Sequence, residues 1–140
     1  PNVDRVAKAS SPSRPKIEAP KYKTDWQWKW PLKGSVVESF DLGKSRKGIR
    51  VKNESSKQIN PAAPGNVVYA GSGLRGYGNL VIIKHSDKVL SAYANNEDIL
   101  VEVGQSITQA DPISNLNENQ IVYFEIRRDG SPVDPLKFLK

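Results

Sequence analysis

The stretch Ala70-Gly71-Ser72-Gly73-Leu74-Arg75-Gly76-Tyr77-Gly78-Asn79-Leu80-Val81-Ile82-Ile83-Lys84-His85 places a β-branched apolar run directly after a cluster of glycines. Its first half matches the glycine fingerprint of dinucleotide-binding proteins, in which the third glycine opens a helix that holds the pyrophosphate. Here the glycines lead straight into Leu80–His85, whose composition favours a strand. The stretch therefore predicts a glycine-rich turn followed by a buried strand, and not a nucleotide site.

Short strands are predicted on both sides of this stretch, at Val67–Ala70, Val89–Tyr93, Ile99–Val103 and Ile121–Arg128. The last run is followed by Asp129-Gly130, a dipeptide typical of tight β-hairpins. No stretch keeps an apolar period of 3.6 residues over ten positions, so little helix is expected. Several short strands separated by glycine and proline indicate an all-β sandwich or barrel.

The N-terminal part of the chain differs in character from the rest. Residues 1–24 are rich in Pro, Ser, Ala and Lys and have no apolar period, which predicts a flexible linker ahead of a domain at residues 25–140. Trp26, Trp28 and Trp30 then alternate along the sequence. An extended segment would place the three rings on one face, where they close over the core or a groove, or else form an exposed aromatic platform.

Composition limits the classes of function. The 140 residues are 37% hydrophobic, enough for one compact domain, and contain no Cys, which excludes disulfides and thiolate metal sites. No run of about 18 apolar residues is present. The net charge is +6, and residues 1–30 hold seven Lys and Arg against three Asp and Glu. Because no aromatic-basic stacking pattern accompanies this basic tail, we predict a solvated linker and no nucleic-acid partner.

Few residues qualify as metal ligands or catalytic groups. His85 is the only histidine, and a zinc hydrolase needs about three protein ligands, so a structural role is expected for it. A different pattern is formed by five cations within nine residues and without an acid among them, namely Lys44, Arg46, Lys47, Arg50 and Lys52. This cluster indicates either a site for an acidic ligand or a solvated, charged strand edge.

Several motifs follow one another along the chain, namely Trp30-Pro31-Leu32-x-Gly34, Lys47-Gly48-Ile49, the stretch from Ala70 to His85, Leu90–Ala94, Val103–Gln105, Phe124–Arg127 and Pro132–Leu136. In this order they resemble the LytM (lysostaphin-like) peptidase family, and within it the NlpD-type envelope lipoproteins. The resemblance covers roughly residues 30–139. It implies a LytM-type β-sandwich, or barrel-sandwich hybrid, with little helix.

The resemblance also implies that the catalytic machinery is missing. The family's zinc His and zinc Asp, in the motif His-x-Gly-x-Asp, fall on Arg46 and Arg50. Its catalytic His in Tyr-Ala-His falls on Asn95, and its closing His-x-His falls on Ile121 and Tyr123. Because guanidinium groups stay protonated and repel a dication, we expect no zinc, no other cofactor and no peptidase activity.

Degenerate family members of the NlpD and EnvC type bind and activate N-acetylmuramoyl-L-alanine amidases, which cut peptidoglycan during daughter-cell separation. The resemblance therefore implies a pseudo-peptidase that activates such an amidase. The predicted partner-binding groove consists of Arg46, Lys47, Arg50, Tyr77, Asn95, Ile121 and Tyr123. The alternative is a passive peptidoglycan-binding or envelope scaffold module. Either role implies a periplasmic domain of a longer lipoprotein, tethered to the outer membrane through an N-terminal lipid outside this chain.

Overall fold

The computed structural model describes Tyr22, residues 25–54 and residues 57–140. The predicted linker, residues 1–24, lies outside the described residues apart from Tyr22. In the described part, ten strands form one antiparallel sheet. They are β1 (Gly34–Glu38), β2 (Ile49–Asn53), β3 (Gln58–Ile59), β4 (Gly65–Gly71), β5 (Asn79–Lys84), β6 (Val89–Ile99), β7 (Ser106–Ile107), β8 (Ser114–Leu116), β9 (Ile121–Arg128) and β10 (Ser131–Val133).

The strand order is β1-β2-β9-β6-β5-β4-β7, with β10 added to β9 and β8 joining β6 to β3. The central strand β6 is 11 residues long and pairs with β5, β9 and β8 in turn. The two helices among the described residues are single 3-10 turns, Leu42–Lys44 and Pro135–Lys137, so neither could cross a bilayer. The predicted all-β architecture with little helix is confirmed.

Most of the predicted strands correspond to strands of the structure. Those at Val67–Ala70, Leu80–His85 and Val89–Tyr93 fall on β4, β5 and the first half of β6, and the one at Ile121–Arg128 coincides with β9. The predicted hairpin joins β9 to β10, with φ of 52° at Asp129 and 81° at Gly130. Positive φ at both central residues is the geometry that matches the twist of paired strands.

The predicted strand Ile99–Val103 is wrong. β6 ends at Ile99, after which Leu100 donates its N–H to the Ile113 carbonyl at 2.8 Å and the chain leaves the sheet. Val101 is buried whereas Val103 is 61% exposed, so the apolar residues do not share one face. The reason lies in the turn at Gly104, whose φ of 99° directs the backbone onto β4.

The hydrophobic core lies against one face of the sheet. Successive strand residues point to opposite faces, so each strand contributes its alternate apolar residues to the core. The largest cluster includes Ile49, Val51, Ile59, Val81, Ile83, Tyr93, Ile113, Val122, Phe124 and Ile126, none of them more than 1% exposed. Each fully buried side chain of this size contributes about 1.5–3 kcal/mol relative to an exposed one.

The tryptophan segment closes over this core, as the alternation predicts. Trp26, Trp28 and Trp30 are half-buried while the residues between them are exposed. The Trp28 ring centroid lies 5.2 Å from that of His85 and 6.0 Å from that of Phe138. The segment is also tied to the body of the domain by its backbone, since the Lys29 N–H donates to the Ala62 carbonyl at 2.9 Å.

His85 lies in the core, 1% exposed, and both its ring nitrogens are hydrogen-bonded. Its Nδ1 is 2.8 Å from the Pro64 carbonyl, which can only accept, so this nitrogen carries the proton. Its Nε2 must then accept from the Ser91 hydroxyl, 2.6 Å away. Ser91 in turn accepts from the Tyr93 hydroxyl at 2.6 Å, which accepts from the Ala62 N–H at 2.8 Å. The neutral imidazole is therefore a structural part of the core.

Candidate functional site

The opposite face of the sheet carries a cleft of about 330 Å³. Its floor comes from β2, β6 and β9, and its walls come from the turn before β2 and the glycine-rich turn before β5. We call it the basic cleft. Its lining consists of Glu38, Ser45, Arg46, Lys47, Arg50, Arg75, Gly76, Tyr77, Ala94, Asn95 and Tyr123.

Strand alternation places the floor residues. Ile49 and Val51 are fully buried in the core, so Arg50 between them points to the cleft. On β9, Tyr123 points to the cleft because both of its neighbours are buried. The two strands pair in register with Arg50 directly opposite Tyr123. The Arg50 guanidinium carbon lies 4.9 Å from the centre of the Tyr123 ring, within the range of a cation–π contact.

A close backbone contact positions the cationic wall. Gly48 lies so near β9 that a Cβ atom there would be 2.3 Å from the Phe124 carbonyl oxygen and 2.8 Å from Glu125 Cγ. Glycine is required at this position because any side chain would displace one strand from the other. The residues just before this close contact, Arg46 and Lys47, line the cleft.

One carboxylate lies among the cations of the basic cleft. Arg50 Nε donates to Glu38 Oε1 at 3.3 Å, and Arg46 Nε lies 3.8 Å from Glu38 Oε2. The three side chains are between 32% and 41% exposed, so each of these ion pairs contributes at most about 1 kcal/mol. With Lys47 and Arg75 added, four cations and one carboxylate line the cleft. Its lining therefore has a net charge of +3.

Beneath the floor, a buried carboxylate holds the tyrosines in place. Glu125 is 1% exposed, and its Oε2 accepts from the hydroxyls of Tyr123 at 2.6 Å and Tyr77 at 3.1 Å. Its Oε1 accepts from Arg127 Nε at 2.8 Å. Burial, together with the neighbouring Glu125, raises the pKa of both hydroxyls above the ordinary value of 10.0. Both hydroxyls therefore stay protonated near neutral pH and donate to Glu125, which holds the two rings in place.

Asn95 lies at a distortion of β6. The pairing of β6 with β9 ends at Ala94, and Asn95 has a φ of 70° in the left-handed region. Asparagine adopts this conformation more readily than most residues. The Asn95 N–H donates to the Tyr77 carbonyl at 3.3 Å, which connects the floor to the glycine-rich wall.

The structure brings six of the seven predicted groove residues into the basic cleft, namely Arg46, Lys47, Arg50, Tyr77, Asn95 and Tyr123. Ile121 does not line it. Ile121 is the first residue of β9, opposite Lys52, and lies two residues or about 7 Å beyond Tyr123 along the strand. Whether the six residues bind a partner stays a prediction.

Sequence reasoning missed Glu38, Arg75 and Glu125. Glu38 comes from β1 and reaches the cleft only through the register of β1 on β2, which pairs it with Arg50. Arg75 lies within the glycine-rich stretch and carried no separate signal. Glu125 could have been found, because alternation along β9 puts a carboxylate among the buried residues of an apolar strand.

The basic cleft does not have the donors that zinc requires. Among the residues that the structure describes, no group of three or more His, Cys, Asp or Glu is arranged to hold a metal ion. Arg46 and Arg50 have no lone pair to donate, and the Tyr123 hydroxyl is held by Glu125. The side chains present therefore do not fit the zinc site that the LytM resemblance calls for.

Comparison with known proteins places the chain in a family. Residues 44–135, which contain the basic cleft apart from Glu38, match the sequence profile of peptidase family M23. The chain belongs to this family. The predicted LytM resemblance is thereby confirmed, since LytM domains are M23 domains.

Two relatives of this M23 domain have informative names, one that of a lipoprotein and the other that of an activator. The chain is 43% identical over 117 residues to a protein of Pseudomonas aeruginosa named lipoprotein NlpD/LppB homolog, covering 80% of this chain and 39% of the relative. It is 42% identical over 117 residues to the murein hydrolase activator NlpD of Escherichia coli, covering 80% of this chain and 31% of the relative. This M23 domain thus spans less than half the length of these relatives.

Solved structures show the same fold. The solution structure of lysostaphin superposes with a TM-score of 0.66 at 15% sequence identity, covering 79% of this chain and 51% of that one. At that identity the likeness concerns the fold alone. It confirms the predicted LytM-type architecture.

Proposed function

We propose that this M23 domain is a non-catalytic regulator that binds and activates a periplasmic N-acetylmuramoyl-L-alanine amidase. Its action would promote peptidoglycan hydrolysis during cell division and daughter-cell separation. The observation that carries the proposal is the basic cleft, in which Arg46 and Arg50 stand where the family resemblance puts zinc ligands. The name of the Escherichia coli relative, a murein hydrolase activator, supports the same role.

The proposal excludes zinc peptidase chemistry on physical grounds. A zinc peptidase needs a metal ion that polarises the scissile carbonyl and activates a water molecule. Two guanidinium groups in its place repel a dication and cannot be deprotonated in a protein. Neither Tyr77 nor Tyr123 could act as a general base near neutral pH, since the pKa of each hydroxyl is raised above 10.0.

The cleft has instead the chemistry of a peptide-binding surface. Its net positive charge and its fixed tyrosine rings suit a segment that carries both carboxylates and apolar side chains. Leu42 and Leu74 support this, since they are 55% and 43% exposed and belong to the two turns that supply the walls. Glu38 occupies the place between Arg46 and Arg50 that an incoming carboxylate would take.

Activation would follow from differential binding. A ligand shifts a conformational equilibrium only by as much as it prefers one state over the other. We propose that the cleft binds a segment of the amidase that is accessible only in the open, active conformer. Because exposed ion pairs are individually weak, several contacts along the cleft would act together.

The proposed location is the periplasm. One relative of the M23 domain is named a lipoprotein, and another is named a murein hydrolase activator. We propose that the domain is part of a longer lipoprotein whose lipid anchors it to the outer membrane. We propose peptidoglycan itself as a second ligand of the domain.

Charge reversal in the cleft tests the proposal. The double variant Arg46→Glu/Arg50→Glu should lower affinity for the amidase by at least about tenfold, because attraction is lost and repulsion is added. It should also abolish stimulation in a dye-release assay on labelled peptidoglycan. Because the reversal adds two carboxylates beside Glu38, the neutral variant Arg46→Gln/Arg50→Gln is measured beside it and should show a smaller loss of affinity.

The matched control reverses two exposed lysines away from the cleft, Lys88→Glu/Lys137→Glu, and should stimulate normally. Thermal unfolding of every variant shows that the fold is intact. Full stimulation by a folded Arg46→Glu/Arg50→Glu variant would contradict the assignment of the cleft. Binding to purified sacculi without amidase, and no stimulation by the wild type, would favour the passive wall-binding role instead.

A further inference from the structure

A second cavity lies away from the basic cleft. Its volume is about 570 Å³, larger than that of the cleft, and the two share no lining residue. It opens where the segment from Lys29 to Gly34 runs beside β3 and the residues that follow it. We call it the Trp30 groove, lined chiefly by Lys29, Trp30, Lys33, Gln58, Asn60 and Gln109.

The two cavities lie at opposite ends of the β1–β2 pair. Gly34 and Asn53 line the Trp30 groove and are paired at one end, while Glu38 and Arg50 line the basic cleft at the other. Four residues of extended chain separate the ends, a distance of about 13 Å. A variant in one cavity can therefore be made without touching the other.

The chemistry of the Trp30 groove differs from that of the cleft. None of the described residues that line it is a carboxylate, and its two charged groups are the exposed ammonium groups of Lys29 and Lys33. Its remaining polar side chains are amides, and Trp30 supplies an aromatic surface. A cationic ligand would find no counter-charge here, whereas a ligand with hydroxyl, amide and carboxylate groups would find a partner for each.

The amides are held in place by one another. Gln58 Nε2 donates to Asn60 Oδ1 at 3.0 Å, and Asn60 Nδ2 donates to the Gln109 backbone carbonyl at 3.0 Å. Gln109 Nε2 donates to the carbonyls of Gln27 at 2.6 Å and Ala62 at 2.9 Å. Side chains fixed in this way lose little rotamer freedom when a ligand binds.

These internal bonds leave hydrogen-bonding capacity for a ligand. A side-chain amide has two N–H donors and an oxygen with two lone pairs. Gln109 uses both donors, so its side-chain oxygen remains as an acceptor, while Asn60 uses one donor and one lone pair in the described part of the chain. Fixed donors and acceptors beside an aromatic ring suit sugar hydroxyl and N-acetyl groups, with the ring packing on the apolar face of a pyranose.

We infer that the Trp30 groove is a second binding site, for a saccharide chain whose substituents carry carboxylates. Trp30 packs against a sugar ring, Asn60 and Gln109 bind hydroxyl or amide groups, and Lys29 and Lys33 pair with the carboxylates. The groove's own chemistry carries this inference. Only the choice of a wall glycan as the probe rests on the proposed function.

Binding measurements in the absence of an amidase test the inferred saccharide site. The probes are soluble peptidoglycan fragments with stem peptides, an uncharged N-acetylglucosamine oligomer, and polyglutamate, which supplies carboxylates without sugar rings. Titration followed by NMR should shift the Trp30 indole N–H with the two saccharides and not with polyglutamate. Fragments should bind more tightly than the neutral oligomer.

Substitutions in the Trp30 groove measure what its side chains contribute to binding. Lys29→Ala/Lys33→Ala should weaken the binding of fragments about tenfold and leave that of the neutral oligomer unchanged, since two exposed pairs are lost. The exposed Gln58→Ala should weaken both. The control Lys88→Ala/Lys137→Ala, at exposed lysines outside both cavities, should change neither.

Three results would overturn the inference. They are no binding of fragments by the wild type, equal binding of polyglutamate, and fragment binding that Lys29→Ala/Lys33→Ala leaves unchanged. Failure of amidase stimulation has no bearing on these measurements, so the two proposals fail separately.

Discussion

The buried histidine makes the stability of the domain depend on pH, and a single substitution separates its effect from that of the other titrating groups. His85 is the only histidine of the chain. Burial lowers its pKa from 6.5 to about 4, partly offset by the hydrogen bond to the Pro64 carbonyl. The unfolded chain therefore takes up a proton below about pH 6.5, while the folded domain excludes it until about pH 4.

The sign and size of the effect follow from these two values. The free energy of unfolding has its full value above about pH 6.5. It falls as the pH decreases towards 4, because the unfolded state binds more protons in that window. Between pH 7.5 and 5 the loss amounts to about 2 kcal/mol, and below pH 4 it reaches about 3 kcal/mol. Protonation would also disrupt the network, because Ser91 would have to donate to Tyr93 and leave the tyrosine hydroxyl without an acceptor.

Urea unfolding at pH 7.5, 6 and 5 measures the effect, with tryptophan fluorescence as the signal because Trp28 packs on the imidazole. The control is His85→Gln, which has no group titrating in this range at that position. The gap in unfolding free energy between the wild type and this variant should narrow by about 2 kcal/mol from pH 7.5 to 5. An NMR titration of the imidazole should be flat over the same interval. Equal pH dependence of the two proteins, or an imidazole that titrates near 6.5, would refute the reasoning.

Two further predictions concern packing. Tyr93→Phe removes the buried hydroxyl that accepts from the Ala62 N–H and should lower the unfolding free energy by about 2 kcal/mol. The control Tyr69→Phe removes a hydroxyl that accepts from an exposed N–H and should lower it by less than about 1 kcal/mol. Equal losses of unfolding free energy in urea would argue against the network. Gly48→Ala should destabilise the domain by about 1–3 kcal/mol, since the added methyl group meets the Phe124 carbonyl at 2.3 Å. It should also reduce amidase stimulation, and an unchanged melting temperature would contradict the close contact.

Much of the fold could be predicted from local sequence. Leu80–His85 and Ile121–Arg128 are apolar runs that contain several β-branched residues, and the alternation of the tryptophans indicated that their rings share one face. The strands that were missed have weak local signals. β2 mixes cations with apolar residues, and β3 and β7 are two residues long and form only because a partner strand is present. Their existence depends on tertiary pairing.

The basic cleft could be predicted only in part. Its cations stand out in the sequence, but only the family resemblance indicated that they lie beside Tyr77 and Tyr123. The role of Glu38 depends on a register shift between Val36 and Glu38, which no local pattern specifies. Ile121 lies outside the cleft, and alignment of motifs fixes the strand but not how far the cleft extends along it.

We propose that this M23 domain activates an amidase without being a hydrolase, and one experiment tests this proposal most directly. Dye release from labelled peptidoglycan is measured for the domain alone, for a purified N-acetylmuramoyl-L-alanine amidase alone and for the mixture, each with and without added zinc. We expect no release by the domain under either condition, and release by the mixture well above that of the amidase alone. Release by the domain alone, or a mixture no more active than the amidase alone, would contradict it.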